Sequence, residues 1–324
     1  MMLRYSLHGL VVESSHPLAG VPAMETERAA DVVVRFGARP DEASAWSESL
    51  VRVVHASDRL SGAAPVLIAD RPHTDETLRL RYAEGIRFHV SPRGDAVWCD
   101  WVAPLTEADA VTYLLGPVIG VVLRRRGVLA IHASAVVIAG GAWALLGPGG
   151  SGKSTLAAAF AYAGLPVLTD DILALRREGE KWMALPAHRG IRLWEDSARL
   201  VAEEGGAFPE ISPTWPKRDL DLARHELPIA HLPVPLRGVL VLEDYGALGV
   251  PPAVEALKPT ALLVELVANV YVNYLAFPAE LAGELGELRE LASRVSGWKL
   301  WPGAGAAGLR STVERVAAIA GRTV

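Results

Sequence analysis

The chain has a single cysteine, Cys99, in 324 residues. That excludes an internal disulfide and any metal site built from several cysteines, and it suits a reducing compartment. Between Trp98 and Asp100, Cys99 reads as a packed strand residue. An excess of positive charge is missing too: 32 lysines and arginines stand against 37 aspartates and glutamates, for a net charge of −5. The cations are scattered except for Arg124, Arg125 and Arg126, so no nucleic-acid partner is expected. The N-terminus shows no basic segment leading into an apolar core and a small-residue cleavage site, and the expected location is cytoplasmic. There is no internal repeat or low-complexity tract.

Long apolar runs are nearly absent as well. The exception, GVLAIHASAVVIAGGAWALL from Gly127 to Leu146, has about the length of a membrane span and carries no full charge. Gly140-Gly141 interrupts it between two β-rich runs, which predicts a tight hairpin of two strands. No membrane partner is expected. What remains is ordinary: 51% hydrophobic and 21% charged residues describe a globular protein with room for two domains or one large one.

Residues 1–105 mix strand-like runs with turn clusters, at Asp31 to Phe36, Leu78 to Tyr82, Ile86 to Val90 and Ala96 to Trp101. They predict a small β-rich N-terminal domain. From Thr106 to Arg125 the pattern turns helical, with Thr106 as cap, Glu107 and Asp109 in the first turn and the three arginines at the end, matching the helix dipole. This helix is expected to open a second domain, 106–324, and the arginines to be its solvated end rather than an anion site.

GPGGSGKST, Gly147 to Thr155, matches GxxxxGK[ST] at Gly147, Gly152, Lys153 and Ser154. The apolar strand Ala142 to Leu146 precedes it and the helical run LAAAFAYAG follows. Glycines let backbone N–H groups turn inward around phosphate oxygens, and the following helix directs its positive end to the same place. The expected phosphate cradle is Gly147, Gly149, Gly150, Ser151, Gly152, Lys153, Ser154 and Thr155. Lys153 can reach the β- and γ-phosphates of ATP, and the Ser154 hydroxyl can ligate Mg²⁺.

The helix is expected to end at Gly164, and PVLTDD to form the next parallel strand. Asp170 and Asp171 then fall at a strand's carboxyl end, as the glycine loop does, where open α/β sheets gather their ligands. One carboxylate can hold the metal and the other can take a proton from an attacking hydroxyl. Glu243-Asp244, closing the apolar run RGVLVLED, competes for the metal role; a strand end and turn is the expected reading there.

The stretch IHASAVVIAGGAWALLGPGGSGKSTLAAAFAYAGLPVLTDDILAL resembles the catalytic core of HPr kinase/phosphorylase. It resembles more closely the HPr-kinase-like proteins that phosphorylate serine hydroxyls on peptides or small molecules. The resemblance covers Gly127 to Leu175 and reaches weakly to Leu275. It implies an α/β fold with a P-loop HPr-kinase-like catalytic core. It also implies one aspartate of the pair as general base, assisted by His132, with its neighbour on the metal side; Asp171 is the expected base and Asp170 the expected metal-side carboxylate, the reverse assignment being the alternative. Where that family carries a glutamate after the P-loop serine, this chain has Thr155, and the family's C-terminal signature and N-terminal domain are not matched. HPr as acceptor and the reverse reaction are therefore not expected.

Acceptor contacts are expected downstream of the core. AHRGIRLW places Arg189 and Arg192 near a glycine turn, and Gly205 to Asp221 is Gly- and Pro-rich with Lys217 and Arg218 near its end, a composition suited to a mobile loop that excludes water. Arg192 and Lys217 are the candidate substrate contacts. From Thr260 onward a helical C-terminal segment is expected, over Leu262 to Leu275, Ala279 to Val295 and Leu309 to Ala320, with Tyr271, Tyr274 and Trp298 in the core.

The sequence thus leads to a Mg²⁺- and ATP-dependent kinase acting on a serine-like hydroxyl of a peptide, protein or small molecule. A P-loop ATPase or nucleotide switch without an acceptor is the alternative, and a homo-oligomer is left open.

Overall fold

Eight runs near the N-terminus pair into one sheet: β1 (Leu3–Leu7), β2 (Leu10–Ser14), β3 (Val32–Phe36), β4 (Val51–Ala56), β5 (Leu67–Pro72), β6 (Leu78–Tyr82), β7 (Ile86–Val90) and β8 (Ala96–Trp101). Their order is β1-β2-β3-β8-β7-β6-β5-β4. β3 is parallel to both its neighbours, and the other pairs are antiparallel. The computed structural model describes residues 2–41, 51–56, 66–72, 76–187, 190–202, 208–211, 217–245 and 249–321.

Alternation decides which face each side chain takes. In β6, Leu78, Leu80 and Tyr82 are buried, and Arg79 and Arg81 point the other way. On that second face the register lines up Asp70, Arg79, His89, Trp98 and Arg35 across five strands. Cys99 is a buried strand residue, and burial raises its thiol pKa.

The expected helix is present in two pieces, α1 (Glu107–Tyr113) and α2 (Ile119–Arg125), joined by a wide turn over Leu114–Val118. Thr106 and Asp109 close a reciprocal cap at its start. Pro117 lacks an N–H to donate, which accounts for the break. The arginines that end it are not a solvated helix end. Arg124 donates to the Val272 carbonyl, Arg125 stacks on Phe277 with its side chain only 8% exposed, and Arg126 pairs with Asp31. Their partners lie far off in sequence, which hid them from a local reading.

The chain divides into Met1–Val128 with Val272–Glu280, and Leu129–Tyr271 with Leu281–Val324. The helix over 107–125 therefore belongs to the first unit, where a boundary after 105 was expected.

His89, buried in β7, has its pKa drawn down to about 4. Burial is the main cause; Asp100 opposes it, while Arg79, Arg39 and Arg87 add to it. The native state holds the ring neutral and the unfolded chain protonates it below about 6.5, so this contribution to stability is full above pH 6.5 and is lost as pH falls toward 4. The loss comes to about 3 kcal/mol. Melting curves between pH 7 and 4 should be flatter for His89→Gln than for the parent; parallel curves would refute the assignment.

The second unit is a mixed α/β structure. Its strands are β9 (Leu129–His132), β10 (Ser134–Ile138), β11 (Gly141–Leu146), β12 (Val167–Thr169), β13 (Ile172–Glu178), β14 (Lys181–Ala184), β15 (Gly190–Trp194), β16 (Lys217–Asp221), β17 (Val234–Leu242), β18 (Ala253–Leu257) and β19 (Ser296–Trp301). Its helices are α3 (Lys153–Tyr162), α4 (Glu195–Val201), α5 (Pro259–Ala268), α6 (Pro278–Arg294, in this unit from Leu281) and α7 (Gly305–Ala320). The main sheet runs β12-β10-β11-β17-β14-β13-β9, with β19 pairing β17 and β18 pairing β19. β15 and β16 form a separate two-stranded antiparallel sheet, with α4 between them in the chain.

Alternating residues of β10, β11 and β17 feed two cores. Val136, Ile138, Trp143, Leu145 and Leu240 pack with α3, α4 and α7. Ala135, Ala144, Leu146, Val239 and Val241 pack with α5 and α6. Both faces of this sheet are thus covered, which is why its strands read as nearly continuous apolar runs.

Several expectations change. The apolar run 127–146 forms three strands rather than two, and the β10–β11 turn residues are Ala139 (φ 50°) and Gly140 (φ 74°), both left-handed as a two-residue hairpin of this type requires. β12 points the same way as β11 but is hydrogen-bonded to the antiparallel β10 between them. The C-terminal segment is not wholly helical: β19 joins the sheet parallel to β17. Tyr274 is exposed, and Trp298 is only partly buried. Lys217–Asp221 is strand rather than loop, because Leu220 inserts into the core and the backbone pairs with β15. Arg189 and part of the expected loop, at 205–207 and 212–216, lie outside the described residues. No helix among the described residues is long and apolar enough to cross a membrane.

Candidate functional site

The carboxyl end of β11 turns directly into the glycine-rich loop, and α3 begins at Lys153. Gly152 caps that helix with φ 91°. A Cβ there would stand 2.4 Å from the Tyr245 hydroxyl, so a side chain is excluded by both conformation and space. The Lys153 ammonium folds back to donate to the Gly147 carbonyl at 2.7 Å and to Pro148 at 3.1 Å. Burial lowers its pKa, against the pull of Asp171 and Asp170.

The adjacent aspartates occupy a chain crossing. At Asp170-Asp171 the chain leaves β12, which pairs with β10, and enters β13, which pairs with β9; at Ala133 a second crossing leads from β9 into β10. Register sets the two crossings side by side, with Ala135 opposite Thr169 and Ile172 opposite His132. Asp171 takes a left-handed backbone, φ 70°, and the two carboxylates diverge.

Asp170 is buried beneath the loop. Its Oδ1 accepts from the Ser134 hydroxyl at 2.6 Å and the Ser154 hydroxyl at 3.0 Å, and its Oδ2 from the Arg192 backbone N–H at 3.1 Å. Asp171 faces the other way, with Oδ1 3.2 Å from His132 Nδ1, and its Oδ2 accepts from the Tyr271 hydroxyl at 3.2 Å. The Tyr271 ring stacks on His132 at 5.8 Å. Burial works against charge on Asp171, but the hydrogen bond from His132 and the positive fields of His132, Arg192 and Lys217 outweigh it and hold the pKa well below the usual carboxylate range.

These side chains surround one cleft of about 410 Å³. Its walls include His132, Gly149, Gly150, Gly152, Lys153, Ser154, Thr155 and Asp171 on one side, and Arg192, Trp194, Ser197 and Lys217 on the other. Every residue expected in the site is in this cleft except Gly147, Ser151 and Asp170. Gly147 receives the Lys153 ammonium, the Ser151 hydroxyl is buried with no partner among the described residues, and Asp170 lies directly below Ser154. The Thr155 hydroxyl donates to Ser197 on α4. Glu243 is engaged by Lys299 on the neighbouring strand.

Ser134, Trp194, Ser197, Tyr245 and Tyr271 were missed. Tyr271 was expected in the core, and its ring is buried; only the fold brings its hydroxyl to Asp171, 100 residues away. No local pattern marks the other four.

Among the described residues no group of three or more His, Cys, Asp or Glu side chains could hold a metal ion. The available donors are the hydroxyl of Ser154 and the carboxylate of Asp170, hard oxygens of the kind Mg²⁺ takes alongside water and phosphate.

No protein-family model matches the chain. No curated protein matches it either. Among solved structures it is similar to the Hpr(Ser) kinase/phosphatase from Coxiella burnetii, at 13% sequence identity and a TM-score of 0.31, over 60% of this chain and 98% of that one. At that score the likeness is weak, and the function is read from the cleft's own residues.

Proposed function

We propose that the cleft binds Mg-ATP and transfers its γ-phosphoryl group to an alcohol, a serine-like hydroxyl on a peptide, protein or small molecule. The observation that carries this reading is the divergence of the paired aspartates, one beneath the phosphate loop at Ser154 and the other in the open cleft with His132. The first serves the metal side, and the second stands where it can take the proton of an attacking hydroxyl.

The loop's N–H groups and the start of α3 offer the phosphates a positive cradle, and Lys153 leaves its carbonyl partners to meet them. Ser154 and Asp170 would hold Mg²⁺, which would supply charge neutralisation at the phosphates when bound. The two oxygens, 3.0 Å apart, are both hard donors of the kind Mg²⁺ takes. Asp171 accepts a hydrogen bond from the acceptor hydroxyl. The hydroxyl oxygen attacks the γ-phosphorus, the bond from phosphorus to the β-bridging oxygen breaks, ADP leaves, and the proton passes to Asp171. The depressed pKa keeps Asp171 ionised, and a loose transition state asks for a well-placed acceptor of the proton more than a strong base. Tyr271 and His132 fix the carboxylate in place.

The test follows phosphate in both directions. The protein is incubated with Mg-ATP and a metabolite and peptide pool, and nucleotide loss is compared with mass gain on acceptors. One phosphoryl mass on an acceptor, reduced about 10²-fold or more in Lys153→Ala, is the expected result. Nucleotide loss without any phosphorylated acceptor would overturn the kinase in favour of an ATPase or switch.

A further inference from the structure

Two cations in the cleft are left over once the nucleotide is accounted for. β15 and β16 pair with Trp194 opposite Lys217 and Arg192 opposite Asp219, so these four residues share one face of the two-stranded sheet. Arg192, Trp194 and Lys217 line the cleft with Asp171 and His132. Arg218, on the alternate face, is engaged by Glu195 at 2.6 Å and Glu210 at 3.3 Å. Among the described residues the Arg192 guanidinium and the Lys217 ammonium form no ion pair, while most arginines of the chain do. Asp219, across from Arg192, has its pKa raised by burial against the pull of Arg192, and it makes no ion pair among the described residues.

Trp194 is 51% exposed, an unusual state for a tryptophan inside a cleft, and the Lys217 ammonium sits 5.1 Å over its ring. The ring steadies the lysine by a cation–π contact and leaves an apolar surface beside the charge. Both cations stand near enough to Asp171 to favour its negative charge. They line the cleft with Asp171, where the reacting hydroxyl would stand, and with Lys153, which would meet the phosphates.

We propose that the acceptor is an anionic alcohol: Arg192 and Lys217 hold a carboxylate that lies close in space to the reacting hydroxyl, and Trp194 covers the carbon skeleton between them. This rests on the kinase reading above and names its substrate class. Arg192 supplies a planar fork matched to a carboxylate, and Lys217 a point charge beside it. Such a carboxylate can belong to a free hydroxy acid or to an acidic side chain next to a serine in a peptide.

Product analogues test it on the full chain by calorimetry in the presence of Mg-ADP. O-phosphoserine is compared with phosphoethanolamine, which has the same skeleton without the carboxylate, and a phosphoserine peptide flanked by aspartates with one flanked by alanines. The carboxylate-bearing member of at least one pair should bind about tenfold tighter or more. Preference within the first pair identifies a free hydroxy acid, and preference within the second alone identifies an acidic peptide. Lys217→Ala and Arg192→Gln should each bring the ratio below about threefold. Equal binding within both pairs, or no binding of any member to the Mg-ADP complex, would overturn the proposal. Failure of Mg-ADP itself to bind would instead sink the nucleotide reading on which it stands.

Discussion

Replacing Asp171 by Asn should lower phosphoryl transfer by about 10³-fold while the protein still binds Mg-ATP and melts close to the parent temperature. The amide keeps the size of the carboxylate and can still meet Tyr271 and His132, so packing changes little. It cannot take the acceptor's proton, and it removes the negative charge that His132, Arg192 and Lys217 stabilise. Single-turnover transfer to any acceptor found by phosphate accounting gives the readout. A folded Asp171→Asn protein within tenfold of the parent rate would remove Asp171 from the chemistry.

Asp170→Asn is the informative contrast. That carboxylate is buried and accepts from two hydroxyls and one backbone N–H, so an amide must turn an NH₂ toward Ser134 or Ser154 or toward Arg192. Its loss should appear first in the Mg²⁺ concentration needed for nucleotide binding. Two neighbouring substitutions thus separate by their readouts, as their opposite orientations require.

The largest loss of stability is expected far from the cleft, at Asp70. Its side chain is fully buried and accepts from Arg79 at 2.7 and 3.1 Å and from Arg81 at 3.0 and 2.6 Å. Asp70→Ala leaves two guanidinium groups on one sheet face without their shared counter-charge, at a cost of about 3–5 kcal/mol. Calorimetric melting should show it as a drop of roughly 10 °C in the transition of the first unit. Asp70→Asn keeps an acceptor oxygen and should lose less. An Asp70→Ala protein within about 1 kcal/mol of the parent would show that the arginines find other partners easily.

Some of this was legible without a structure. β3, β6, β7 and β8 fall within a residue of the runs that predict them, because alternation survives wherever one face of a strand is buried and the other is polar. The helix after the glycine loop starts and stops at the expected residues, since Gly152 and Gly164 are both left-handed, φ 91° and 80°. β19 was hidden because six residues between two helical patterns give too short a signal, and what makes them a strand is the open edge of β17. The arginine run was misjudged for a related reason: its hydrogen-bond and ion-pair partners come from remote parts of the chain. Pro117 could have suggested the break in the helix, and the apolar pattern running through it masked that sign.

What the sequence determined by itself was local chemistry. A loop of glycines, a lysine and a hydroxyl at fixed spacing dictate a turn followed by a helix N-terminus, because the backbone freedom and the unpaired N–H groups are properties of those few residues. It determined equally that two carboxylates follow one helix later. Tertiary structure alone decided what those carboxylates face. Two chain crossings lie side by side, one left-handed residue turns Asp171 away from Asp170, and a tyrosine 100 residues further on meets it. The β15–β16 pairing that brings Arg192, Trp194 and Lys217 to the same cleft belongs to this second class, because strand register is set by pairing with another segment and no segment encodes its partner's position alone.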